Sequence, residues 1–159
     1  MAEVVKEFSE PKGITRIFGV GDMGVEEGAY PGDMTIWDTG RPAGSDWMDI
    51  GPNGITFDTD AESLSYVRYQ LWSGPPPAEE GWTHTWEGPL YLASGRIVAI
   101  TASAPDEGGD GTEFVLPRQE TTWHTRVLAR YPDTDPRTGF PRPVGGPVLF
   151  KLQFWLDDR

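Results

Sequence analysis

Cysteine is absent from the 159 residues of this chain. That excludes disulfide stapling, thiol nucleophiles and Cys-based zinc sites. Histidine is scarce, with only His84 and His124. Neither stands in an HxH or HExxH spacing, and no serine has a GxSxG context, so no nucleophile–base constellation is legible. No apolar run reaches membrane-spanning length. The opening MAEVVKEFSEPKG is charged and lacks the apolar core of a signal peptide. Basic charge is also in short supply: 13 Lys and Arg face 25 Asp and Glu, a formal net of −12. This opposes direct binding to nucleic acid or anionic lipid and favours a basic protein partner. The expectation is a cytoplasmic, non-catalytic protein with no cofactor, metal or membrane association.

Turn formers and large aromatics are plentiful. Twenty Gly and 15 Pro predict many turns and no long helix, while seven Trp, seven Phe and five Tyr supply a core for one domain. The first 13 residues read as a flexible arm, and residues 14–159 as a single domain. Strands are predicted over 14–20, 34–38, 64–72, 88–93, 96–102, 113–116, 123–131 and 148–156. The sharpest local signal is a hairpin, in which Asp46–Ile50 and Ile55–Thr59 flank Gly51-Pro52-Asn53-Gly54. An Asn-Gly pair tolerates the positive φ of a tight turn. In the last two strands the alternation is strict. Val127 and Ala129, like Phe150, Leu152 and Phe154, share a core face, while Arg126, Lys151, Gln153 and Trp155 point away. About eight to nine short, mostly antiparallel strands predict an all-β fold, a β-sandwich or open barrel.

Several motifs weaken on inspection. Gly19-Val20-Gly21-Asp22-Met23-Gly24 matches the dinucleotide pattern, but Val25 to Gly32 is not expected to hold the helix that the pattern requires. The two histidines, with Glu79, Glu80 or Glu87, could hold a metal, yet both adjoin tryptophans and packing is the favoured role. Carboxylate pairs such as Asp58/Asp60, Asp133/Asp135 and Asp157/Asp158 are expected by chance in so acidic a chain. Asp106, Glu107 and Asp110 lack the ligand series of a calcium loop. Trp82 and Trp86 are expected to sit in a polar loop, GWTHTWEG, and Trp155 lies opposite an apolar face. They are either exposed platforms for a ligand or the cover of a second sheet face.

Charge is unevenly spread. Residues 19–67 hold ten acids and one base, Arg41, whereas residues 121–153 hold five bases and two acids. The two regions either neutralise each other within one sheet or mark a partner surface.

The order of strand and turn residues carries a resemblance. Asp33-Met34-Thr35-Ile36-Trp37-Asp38 precedes Gly54-Ile55-Thr56-Phe57-Asp58-Thr59, Val67–Tyr69, Trp86-Glu87-Gly88-Pro89-Leu90-Tyr91-Leu92, Gly95-Arg96-Ile97-Val98 and Phe114-Val115-Leu116-Pro117. This layout resembles the competence protein J family of small acidic β-proteins, from which the chain departs in its Arg-rich stretch 132–147 and its acidic first third. The resemblance implies a nuclease inhibitor or immunity-type protein. Asp38, Asp46, Asp49, Asp58 and Asp60 are then the expected contacts to a basic nuclease or toxin, with Trp47 as aromatic anchor. A second reading is a carbohydrate- or small-ligand-binding sandwich using Trp82, His84, Trp86 and Tyr91. A third is a structural or assembly subunit of a phage or multiprotein complex.

Overall fold

The computed structural model describes residues 1–14, 18–30, 36, 38–57, 63–101, 112–130 and 148–157. Among them are ten strands and one short helix, in the order β1 (Val4–Ile14), β2 (Phe18–Asp22), α1 (Met23–Glu26), β3 (Met48–Gly51), β4 (Gly54–Phe57), β5 (Ser63–Trp72), β6 (His84–Leu92), β7 (Arg96–Thr101), β8 (Phe114–Val115), β9 (Thr121–Arg130) and β10 (Val148–Trp155). They form two five-stranded sheets, β1-β5-β10-β9-β6 and β3-β4-β2-β7-β8. The fold is all-β and sandwich-like, without barrel closure. Among the described pairings only β5–β10 is parallel. Among the described residues no helix is long and apolar enough to cross a membrane.

Period-two patterning explains the sheets. Val67, Tyr69 and Leu71 of β5 point inward with Phe150, Leu152 and Phe154 of β10, and Val127 and Ala129 of β9 join them. From the second sheet Phe18, Val20, Ile55, Phe57, Ile97 and Ala99 enter the same cluster. Phe150 bridges the two layers, with ring centroids 4.5 Å from Phe57 and 5.1 Å from Phe18. Full burial of side chains of this size stabilises by about 1.5–3 kcal/mol each.

The hairpin forms where its sequence signal lies. Met48 pairs with Phe57 and Gly51 with Gly54, so the two loop residues are Pro52 and Asn53. Asn53 takes the positive φ, 71°, and Gly54 already belongs to β4. Proline followed by a residue with positive φ is the arrangement of a type II turn. The last segments match closely as well: β9 and β10 run antiparallel with Phe150 opposite Ala129 and Leu152 opposite Val127.

Two expectations are corrected, the N-terminal arm and the loop around Trp82 and Trp86. Residues 4–14 are an edge strand rather than an arm, paired antiparallel with β5 from Val4↔Trp72 to Ile14↔Ser63. After Asp22 there is one helical turn, Met23–Glu26, and residues 27–30 do not continue it, so the helix of the dinucleotide pattern is not formed there. The stretch around Trp82 and Trp86 is only partly loop, because β6 begins at His84 and carries Trp86 within it. Of the predicted strand 34–38, Ile36 lies in a turn and Asp38 outside any strand, and the other positions lie outside the described residues. Stretches 105–110 and 132–147 also lie outside them.

Candidate functional site

Of the expected acidic contacts, Asp38, Asp46 and Asp49 lie by the β3–β4 hairpin, at one edge of the second sheet. Gly51 and Gly54 shape this place. A Cβ on Gly54 would stand 2.1 Å from the Ile36 carbonyl oxygen, and one on Gly51 the same distance from that of Asp38. Only glycine therefore lets the backbone of Ile36, Asp38 and Thr39 lie against the hairpin. Gly40 then pairs with Ile50, its N–H donating to the Ile50 carbonyl at 3.0 Å and its carbonyl accepting at 2.9 Å. The Thr39 and Thr56 hydroxyls meet at 3.2 Å. This places Asp38 beside β3, which carries Asp49 and is preceded by Asp46. Asp38 and Asp46 are exposed. Asp49 is half-buried and pairs with Arg41 at 3.3 Å, so its charge is largely offset. Asp58 and Asp60 lie outside the described residues.

Trp47 is not a surface anchor. It is 6% exposed, stacks on Phe57 at 6.0 Å and on His84 at 5.3 Å, and belongs to the shared core. The residue enters the core from the hairpin's approach and ties β4 to β6.

Two basic residues of the last strands, Arg126 and Lys151, are engaged by acids from the middle of the chain. Arg126 Nε donates to Glu87 at 3.0 Å, and its Nη1 to the carbonyls of Pro76 and Pro77. Lys151 Nζ lies 2.9 Å from both oxygens of Glu79. Gln153 donates to Glu79 and to Gln70, both at 3.0 Å. These contacts hold the stretch after β5 across the outward face of the first sheet. Gln153 and Trp155 are consequently buried there, Trp155 with His124 stacked on it at 5.6 Å and Arg126 over its ring at 5.7 Å. Facing outward on this sheet did not mean facing water.

The four aromatic and histidine residues expected to form a ligand platform are dispersed. His84 stacks on Trp47, and Trp86 packs against the shared core with its ring lying over Gly88. Tyr91 joins a separate small cluster with Val25, Ile36, Tyr30 and Ala93. Trp82 lies apart, near Lys151. Alternation along β6 also turns Glu87 to the side opposite His84, and Glu87 and Glu79 are engaged by cations. Among the described residues no three His, Asp or Glu side chains come together in a way that would hold a metal.

A buried polar knot at the hairpin tip was not foreseen. Asp22 is fully buried and its carboxylate accepts from Val25 N–H (3.3 Å), Ser94 N–H (2.8 Å), Ser94 Oγ (2.5 Å) and Gly95 N–H (3.0 Å). Residues 93–95 are where the chain crosses from the first sheet to the second. Asn53, also fully buried, donates its N–H to Tyr91 O at 2.8 Å and accepts from Ala93 N–H at 2.7 Å. Its carbonyl accepts from Asp22 N–H at 2.9 Å. The hairpin tip is thus fixed to the sheet crossover. Asp22 also occupies the position at the start of α1 that a pyrophosphate takes in a dinucleotide-binding turn. The available sequence signal was an Asp ending an apolar strand three residues before a free N–H, the spacing of an N-cap. Beside the knot, Arg96 makes paired contacts with Glu27 (3.1 and 3.2 Å) and Glu113 (2.6 and 3.2 Å). Hydrogen bonding to Arg96 holds the Glu113 carboxyl below the usual carboxylate range.

No family model and no curated protein matches the sequence. Two solved structures are similar in fold. ComJ of Bacillus subtilis, an inhibitor of the DNA degrading activity of NucA, matches with a TM-score of 0.55 and 10% identity, over 98% of this chain and 98% of that one. The product of crocagin biosynthetic gene J matches with a TM-score of 0.50 and 18% identity, over 99% of each chain. At these identities the likeness is one of fold, and it agrees with the layout-level resemblance to the competence protein J family.

Proposed function

We propose that this protein is a non-catalytic inhibitor or immunity-type protein that engages the basic, nucleic-acid-binding face of a nuclease through the acidic edge at its β3–β4 hairpin. The observation that carries the reading is the likeness of fold, along nearly the whole length of both chains, to a protein that inhibits a nuclease. The acidic edge supports it. Asp38 and Asp46 are exposed, and Asp58 and Asp60 follow β4 directly in the sequence. The described cations of β9 and β10 with ion pairs, Arg126 and Lys151, are paired with Glu87 and Glu79 rather than with this edge. The knot at Asp22 and Asn53 holds the hairpin in one position, which lowers the ordering cost of binding.

In this mechanism the carboxylates occupy the positions of nucleic-acid phosphates on the partner and attract it over a distance set by the ionic strength. Immobilised protein is expected to capture a basic nuclease from a lysate of its source cell and to suppress that enzyme's DNA cleavage. The association rate should fall about ten-fold or more from low to high salt. A captured nuclease that associates equally fast at both salt concentrations refutes the electrostatic mechanism. Capture of non-nucleases alone refutes the partner class.

A further inference from the structure

The outward face of the first sheet holds a groove of about 450 Å³, a size in the range of small-ligand sites. We propose that it is a binding site for an uncharged sugar, separate from the acidic edge and independent of the nuclease reading.

Its floor follows from strand register. Tyr66 and Arg68 are outward-facing positions of β5, Leu149 and Lys151 are those of β10, and Tyr66 pairs with Leu149 as Arg68 does with Lys151. Its wall comes from the stretch between β5 and β6, which brings Glu79 and Trp82 over the sheet. Lys151 fixes that wall, since its Nζ binds both Glu79 oxygens and lies 5.9 Å from the centre of the Trp82 ring.

Charge decides the ligand class. Arg68 is paired with Glu7 at 3.4 Å and donates to Ser9 Oγ at 2.9 Å, while Lys151 is paired with Glu79. Each cation of the groove therefore already has its counter-ion. An anionic ligand would meet Glu79 and Glu7, and a cationic one Lys151 and Arg68. What the groove offers is hydrogen-bonding capacity without net charge, between a floor with exposed Tyr66 (45% exposed) and half-buried Leu149 and a wall with half-buried Trp82. A purely apolar ligand would cover those charged groups and leave them without water. A pyranose satisfies both halves, because its hydroxyls can donate to Glu79 and accept from Arg68, and its flat C–H face can lie on an aromatic ring.

The site is tested by ligand-observed NMR with cellobiose, maltose, mannobiose and N,N'-diacetylchitobiose on the full chain. At least one sugar should bind saturably and shift the Trp82 indole N–H of the unmodified protein. Trp82→Ala and Tyr66→Ala should each weaken that binding ten-fold or more, with the near-ultraviolet circular dichroism of the fold retained. The proposal is overturned if none of the four binds saturably, if binding leaves the Trp82 N–H unmoved, or if a folded Trp82→Ala or Tyr66→Ala variant binds as well as the parent. Nuclease inhibition by those folded variants should be unchanged, which separates this site from the acidic edge.

Discussion

Asp22 shows how much one side chain can hold. A carboxylate without solvent contact is costly unless its hydrogen bonds replace those of water, and four donors from two segments of chain, Val25 and residues 94–95, do so here. Asp22→Ala would leave the N–H groups of Val25, Ser94 and Gly95 buried without that partner. Leaving buried donors unsatisfied costs roughly 1–3 kcal/mol each before relaxation, so a loss of about 3 kcal/mol is expected in urea unfolding with an unchanged slope. Asp22→Asn, which keeps one accepting oxygen, should lose less. A loss under about 1 kcal/mol for the alanine variant would mean that water replaces the carboxylate and that the knot does not fix the hairpin. Such a residue is hard to find by reading along the chain, because its partners are more than seventy positions away at Ser94 and Gly95. Trp47 failed as a predicted anchor for a related reason. It precedes the strand proper, where alternation assigns no face, and its position against Phe57 and His84 is a tertiary fact.

At the level of elements, legibility followed the clarity of alternation. β5, β9 and β10 could be placed within a residue or two, because a buried face repeated at every second position constrains the strand strongly. The hairpin was legible from its turn residues, although the turn sits one residue earlier than an Asn-Gly reading implies. β1 was missed because an edge strand is protected from aggregation by the residues that make a linker look like one. Lys6, Pro11 and alternating charges discourage further pairing. Nevertheless β1 is tied in: Phe8 stacks on Tyr69 at 6.5 Å, Lys6 Nζ donates to Val115 O at 2.9 Å, and Glu3 N–H donates to Ser73 Oγ at 2.9 Å. Deleting residues 1–13 should therefore destabilise the protein by about 3 kcal/mol or more, roughly 10 °C in Tm for a chain of this length, whereas deleting a free arm would leave Tm unchanged. The outward face of the first sheet was half legible. Its side chains point where alternation placed them, but the strap carrying Glu79 covers them, and no local pattern in 73–83 announces that contact.

For the molecule as a whole, the question is whether net charge or its placement steers a partner. The sequence showed the imbalance between residues 19–67 and 121–153 but not which charges remain available after folding. Asp22 is buried, Glu27 is paired with Arg96, and Asp49 is paired with Arg41, whereas Asp38 and Asp46 stay exposed. Two double reversals separate the alternatives. Asp38→Lys with Asp46→Lys alters the hairpin edge, and Glu3→Lys with Glu80→Lys alters exposed positions on the first sheet and its strap. Both raise the net charge by the same amount, and as exposed substitutions each should change stability by only about 0.5 kcal/mol per site. If steering is local, the hairpin pair slows association with the proposed nuclease partner about ten-fold, since like charges then face each other across the encounter surface. The Glu3/Glu80 pair, which does not belong to the hairpin edge, should then change the rate by less than about two-fold, because exposed charges act over only roughly 8 Å at physiological salt. Equal slowing by both pairs would show that the total charge of −12, rather than the edge beside the hairpin, attracts the partner.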